Sequence, residues 1–352
     1  MVSFYPGPSR VHDEVPRWTA EAAKKGILSM NHRSMEFMHL AEDTVLRLRQ
    51  KLNVPRTYTV FFVSSATECW EIIAQSFVQR RSVHCYNGAF GEKWYQYTNK
   101  LRPGAQALRF NLQQPLDVED LVLDREDVLC ITQNETSNGS SVAPSTLHAI
   151  RTKYRAPLIA VDATSSMAGI ELNFTKADLW FASVQKCFGL PAGLALLICS
   201  PRALERAEAI GERDHYNSVL FMREMMRSWQ TTHTPNVLGI YLLNRALHKM
   251  RVIAETGAIT KERAKAWFNF VESLPALQPL IANKNVRSST VITVSGETTY
   301  LEKLKAAAKR KGFLLGNGYG EYKTTTLRIA NFPVITDREI NSLKRFLKGF
   351  KA

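Results

Sequence analysis

The stretch FASVQKCFGLPAGLALLICS (181–200) decides the fold. An apolar strand breaks at Lys186, a Gly/Pro turn follows, and a second apolar run, LALLICS (194–200), resumes. Strands apolar almost throughout are those covered on both faces, as in the parallel sheets of α/β proteins. Working back towards the N-terminus, the same kind of run recurs as YTVFFV (58–63), SVHCYN (82–87), AQALRF (105–110), VLCITQ (128–133), PLIAVD (157–162) and LWFASV (179–184). Helical patterns lie between or beside them at 67–79, 92–101, 145–154 and 202–210. Ahead of them, 36–52 places Phe37, Leu40, Val45, Leu48 and Leu52 on one helical face. Seven strands alternating with helices predict an α/β fold with a large, doubly wound, mostly parallel seven-stranded sheet, and ligands at the carboxyl ends of its strands.

Beyond about residue 240 the pattern changes to a long helical region (238–272), a strand at 289–295 and a helix at 299–311. Strands at 313–315 and 324–330 follow, then a terminal helix opened by Thr336 and Glu339 in capping-box spacing. This is a smaller α+β C-terminal domain. The expected organisation is an N-terminal arm (1–15) packing near the small domain, a large domain (16–240) and the small domain (241–352). The segment 211–235 fits no element.

Composition narrows the function. The chain has 352 residues, 45% hydrophobic and 22% charged, as an ordinary two-domain globular protein does. Lys and Arg number 46 against 32 Asp and Glu, a net charge of +14. The basic residues are spread along the chain without a long tract, which argues for a solvated surface or anionic small molecules rather than nucleic acid. No run of 18 apolar residues predicts a membrane span, and the start, MVSFYPGPSRVHDE, has no secretory h-region. The five cysteines form no CxxC pair, and the eight histidines show no metal-ligand spacing. Reduced thiols in a cytoplasmic protein without a metal are the expectation.

Four features collect at strand ends. Lys186 is a strand-end lysine; in an apolar cleft such an amine loses its proton readily and can form a Schiff base with an aldehyde, whereas an exposed lysine there would do nothing. Asp162 closes PLIAVD. It is either a turn former or a carboxylate that holds a pyridine nitrogen protonated and so turns the ring into an electron sink. The strand-to-helix junction VSSATECW (63–70) offers backbone N–H groups and a positive dipole end to a phosphate, or is a plain N-cap. It lacks the lysine of a P-loop. In NETSNG (134–139), Thr136 brings a hydroxyl to the same edge.

These motifs resemble the class V, fold-type I pyridoxal-phosphate aminotransferases, and within them the phosphoserine branch. The resemblance runs over nearly the whole chain: YPGPSRV, NHRS (31–34), SSAT (64–67), NETSNG, VDATSS (161–166), SVQKCFG (183–189), HTP (233–235) and LRIANFP (327–333). It implies pyridoxal 5'-phosphate as cofactor, held by Lys186, with Asp162 on the ring nitrogen and Thr136 near the ring hydroxyl. Phe90 would stack on the ring. Ser65, Ala66, Thr67 and Gln185 would bind the phosphate, completed by His233 and Thr234 of a neighbouring subunit in a homodimer. Arg328 would clamp the substrate α-carboxylate, and His32 and Arg33 would meet a distal phosphate or carboxylate from across the dimer. The implied reaction converts 3-phosphohydroxypyruvate and L-glutamate to O-phospho-L-serine and 2-oxoglutarate, a step of serine biosynthesis.

Three departures mark this chain. His233 stands where asparagine is usual. Glu321 and Tyr322 stand where many relatives carry a second His-Arg pair, with Lys323 beside them. HRSMEF is also similar to alanine–glyoxylate and serine–pyruvate aminotransferases, the alternative within the class. The alternative from another class is a basic nucleic-acid-binding or regulatory protein on an inactive scaffold. It requires loss of Lys186 or Asp162, and both are present.

Overall fold

In the computed structural model, which describes residues 1–351, the predicted strands assemble into one seven-stranded sheet. Its order is Thr59–Val63, Ala195–Cys199, Leu179–Ser183, Leu158–Asp162, Val128–Thr132, Ser82–Tyr86 and Gln106–Arg109. The last five named are mutually parallel. Ala195–Cys199 runs antiparallel to both of its neighbours. The cause is local: the connection 184–194 is too short for a crossover, so the chain reverses onto the adjacent position. That reversal is the turn that carries Lys186. The central strands are buried at every position, with helices Ala66–Ser76, Ala89–Leu101 and Pro144–Lys153 among their connections.

Register brings the strand ends level. Thr132 pairs with Asp162, Asp162 with Phe181, and Ser183 with Ala195, which in turn faces Val63. The residues following these positions, at Ser64–Thr67, Asn134–Thr136 and Gln185–Lys186, therefore emerge along one edge of the sheet.

A second, five-stranded sheet has the order Val2–Phe4, Phe313–Asn317, Thr326–Ala330, Val291–Gly296 and Leu277–Pro279. The first and last of these strands are only three residues long and escaped the sequence reading. From Phe4 the chain passes directly to the large sheet, where Ser9 N–H donates to the Gln185 carbonyl (3.0 Å) and His12 N–H to that of Gly189 (2.9 Å). The N-terminal segment thus ties the small sheet to the Lys186 turn.

The helical region 238–272 is two helices, Val237–Lys249 and Ile253–Glu272, separated where Met250 and Val252 adopt extended backbone. The unassigned segment 211–235 contains one helix, Val219–Met226. The terminal helix Asp337–Gly349 has the expected reciprocal cap between Thr336 and Glu339. All five cysteines are buried and unpaired. Among the described residues no helix is long and apolar enough to cross a membrane.

Candidate active site

Between the two sheets lies a cavity of about 710 Å³, lined from the large sheet's carboxyl edge, the N-terminal segment 5–8 and the small-sheet residues 317–320, 323 and 328. Lys186 stands at its floor, 7% exposed, and its Nζ donates to Thr136 Oγ1 at 2.8 Å. Burial lowers its pKa to about 8, against the opposing pull of the Asp162 and Glu135 carboxylates. A charged amine in low dielectric is disfavoured relative to the neutral one, so this lysine gives up its proton more readily than an exposed one. Gly7 makes room for its stem. At φ +145° it occupies backbone space favouring glycine, and a Cβ there would meet Lys186 Cε at 2.8 Å.

Asp162 is 5% exposed and accepts from the Thr164 N–H at 2.9 Å. Burial raises its pKa, while the Thr164 hydrogen bonds and the Lys186 charge pull the other way. It is thus a buried carboxylate short of a cationic partner. Ser183 Oγ accepts from Ala66 N–H (3.0 Å), joining the strand before Lys186 to the start of helix Ala66–Ser76. Ala66, Thr67 and Gln185 line the cavity there. Ser65 lies just outside it, its hydroxyl accepting from the Glu68 N–H as the helix N-cap.

Phe90 opens towards the same space, its ring centre 5.2 Å from Lys186 Nζ and 5.1 Å from the Tyr319 ring, on which it stacks at 25°. Phe90 owes its position to Glu135, a fully buried carboxylate at the N-terminus of helix Ala89–Leu101. Glu135 accepts from the Gly91 N–H (3.1 Å) and from the N–H and hydroxyl of Ser137. Arg328, 4% exposed, is aimed by two carbonyls: Nε donates to Asn317 (2.7 Å) and NH1 to Thr136 (2.8 Å). Thr136 therefore touches both Lys186, through its hydroxyl, and Arg328, through its carbonyl.

His32, Arg33, His233 and Thr234 do not line this cavity. They share a different face of the same subunit. Arg33 donates to Gln230 Oε1 at 2.6 Å, and the His233 ring meets Tyr216 edge-on at 5.7 Å. His32 has its pKa lowered by partial burial and then by the charges of Arg33 and His233, which places the two loops together. Within one subunit these four residues touch no part of the cavity.

The donor set fits pyridoxal phosphate. Besides the buried amine and carboxylate, two buried polar atoms of the lining, Thr132 Oγ1 and Gln185 Oε1, lack a hydrogen-bond partner among the described residues, while the Trp70 and Thr164 side chains turn towards Asp162. A desolvated group without a partner costs about 1–3 kcal/mol, which a polar ligand in the cavity would recover. Of the titratable side chains lining the cavity, Lys93, Lys186, Lys323 and Arg328 are cationic and Asp162 is the sole carboxylate. Sequence reasoning missed Trp70, Thr132, Tyr319 and Lys93. Trp70 and Thr132 read as ordinary core, whereas the Lys93 and Tyr319 positions depend on how the two sheets meet.

The aminotransferase class-V family model matches residues 6–319, and the chain belongs to that family. It is a pyridoxal-phosphate-dependent aminotransferase of the α/β fold that the two sheets display. Among solved structures it is similar to a phosphoserine aminotransferase from Cytophaga hutchinsonii, at a TM-score of 0.94 and 31% identity, covering 100% of this chain and 99% of that one. An aspartate aminotransferase from Thermus thermophilus shares the fold at TM-score 0.88 and 19% identity, over 99% and 98%. By sequence, a phosphoserine aminotransferase of Corynebacterium glutamicum (strain R) is 25% identical over 96% of this chain and 91% of its own length.

Proposed function

We propose that this enzyme transfers the amino group of L-glutamate to 3-phosphohydroxypyruvate, giving 2-oxoglutarate and O-phospho-L-serine. The observation that carries the reading is the cavity's charge: besides Lys186, which the cofactor would occupy, three basic side chains, Lys93, Lys323 and Arg328, face the single carboxylate Asp162. That excess suits a cofactor phosphate together with a doubly acidic substrate. The similarity to phosphoserine aminotransferases over essentially the full chain supports the same substrate.

When bound, pyridoxal phosphate supplies an aldehyde for the substrate nitrogen and a ring that accepts the electrons left as the α-proton departs. The chain's residues do the rest. Asp162 would pair with the protonated ring nitrogen as the partner it lacks. Phe90 would pack against the ring, and Ala66, Thr67 and Gln185 at the start of helix Ala66–Ser76, with the capping Ser65 beside them, would hold the phosphate. Arg328 takes the α-carboxylate in a two-point grip, which orients the α C–H bond. Lys186, whose burial makes its amine easier to deprotonate, would remove the proton at the α-carbon and return it one position away. Thr136 holds the amine through its hydroxyl between these events.

A homodimer completes the site in this reading. His233 and Thr234 reach the phosphate, and His32 and Arg33 the substrate's distal group, from a second copy; their common placement on one face outside the cavity is what such an arrangement requires. The division into an arm (1–15), 16–240 and 241–352 separates the cofactor-holding sheet from the lobe that brings Arg328. The five buried, unpaired thiols accord with the cytoplasm.

The second reading is an alanine–glyoxylate or serine–pyruvate type of reaction, favoured by Glu321, which places a carboxylate, paired with Arg109 at 3.4 Å, two residues before Lys323. The amino donor that bleaches the visible band of the bound cofactor separates the two. Bleaching by phosphoserine and glutamate supports the first reading; bleaching by alanine and serine alone overturns it.

A further inference from the structure

We infer that Lys93 and Lys323 form the same-subunit half of a subsite for the distal anionic group of the amino-acid substrate, with Tyr319 aligning Lys93. The inference deepens the proposed reading and rests on it. Phe90, Lys93 and Tyr97 are spaced i, i+3 and i+7 on helix Ala89–Leu101, so one helix face supplies all three to the cavity. The Lys93 ammonium is held by the Tyr319 phenol at 2.6 Å and lies 5.1 Å from that ring's centre. Among the described residues no carboxylate oxygen lies within 4.0 Å of the Lys93 or Lys323 amine.

Tyr319 links the two cations: the Arg328 guanidinium is 5.3 Å from the centre of the ring that the Lys93 ammonium approaches to 5.1 Å. A substrate whose α-carboxylate sits on Arg328 therefore extends its side chain within a cavity that Lys93 also lines, where an acidic group meets a counter-charge and the methyl of alanine does not. Lys323 comes to the same cavity at the end of the tight turn after Gly318, where a Cβ would stand 2.2 Å from the Tyr322 carbonyl. It follows Glu321 and Tyr322 directly and is the one of the three whose side chain lines the cavity. A flexible ammonium serves as a point charge for either a carboxylate or a phosphate, which an enzyme of two acidic substrates needs.

The test uses holoenzyme and reads the cofactor's visible absorbance during titration with O-phospho-L-serine, L-glutamate and L-alanine, for wild type, Lys93→Ala, Lys323→Ala, the double variant and Lys93→Arg. Each alanine variant is expected to weaken both acidic amino acids about tenfold relative to alanine, the scale of one charge-assisted hydrogen bond. The double variant weakens them further, Lys93→Arg restores most of the loss, and the starting cofactor absorbance is retained. Equal weakening of all three amino acids, or no change in the double variant, overturns the inference. Wild-type enzyme that responds to glutamate but not to O-phospho-L-serine removes the phosphoserine reading, while the glutamate-to-alanine ratio still decides the role of the two lysines.

Discussion

Thr136 is bonded to Lys186 by its hydroxyl and to Arg328 by its carbonyl, each at 2.8 Å. One residue thereby fixes the separation of the amine that handles the α-proton and the guanidinium assigned to the α-carboxylate. Thr136→Ala keeps the carbonyl and removes the hydroxyl. It is expected to lower kcat about fivefold, on the scale of one hydrogen bond of about 1 kcal/mol, while KM rises less than threefold. Steady-state kinetics check it; a rise in KM alone would place Thr136 on substrate binding instead.

The lowered pKa of Lys186 makes a prediction about pH. The unfolded chain binds the lysine proton up to about 10.5, the folded apoprotein only up to about 8. Below 8 both states are protonated and the fold carries the full desolvation cost. Between 8 and 10.5 the unfolded state holds the extra proton, so this group makes stability rise with pH, by up to about 1.4 kcal/mol per unit. Apo Lys186→Met lacks this contribution. Denaturant melts of the two apoproteins from pH 7 to 10 should show the stability advantage of the methionine variant shrinking as pH rises; a constant difference contradicts the buried, neutral-leaning amine.

Asp162→Asn removes the carboxylate and keeps the shape. Turnover is expected to fall at least about a hundredfold, the scale of losing a preorganised electrostatic partner, with cofactor still bound. Kinetics alongside bound-cofactor absorbance test it, and near-wild-type turnover would detach Asp162 from the ring nitrogen.

Arg328→Lys replaces a fork held by two carbonyls with a single ammonium. KM for every amino acid is expected to rise by a similar factor, roughly thirtyfold for a loss of about 2 kcal/mol, with acidic and neutral substrates affected alike. A loss confined to acidic substrates would move Arg328 to the distal group.

Arg33→Ala addresses the residue outside the cavity. If a second copy delivers it, the ratio of kcat/KM for O-phospho-L-serine over L-alanine falls about tenfold. An unchanged ratio removes His32 and Arg33 from distal recognition, and a monomer by sedimentation would remove the shared site altogether.

The sheet was legible because its strands are buried on both faces and so read as continuous apolar runs, and Lys186 and Asp162 stood out because polar residues ending such runs are conspicuous. The direction of Ala195–Cys199 follows from the length of one turn and could have been read from it. Val2–Phe4 and Leu277–Pro279 are too short for any period to register. The break at Met250–Val252 was hidden because no Gly or Pro marks it. Lys93 and Tyr319 are 226 residues apart and meet only because the loop between strands Phe313–Asn317 and Thr326–Ala330 brings Tyr319 to helix Ala89–Leu101. Contacts of that separation leave no local trace in sequence.

The most direct measurement is to treat the yellow holoenzyme with sodium borohydride, which fixes the cofactor to its amine, and to map the pyridoxyl group by peptide mass spectrometry. The account predicts a single modification on Lys186, prevented by prior addition of excess O-phospho-L-serine. A pyridoxyl group on any other lysine, or no modification of a cofactor-loaded enzyme, contradicts it.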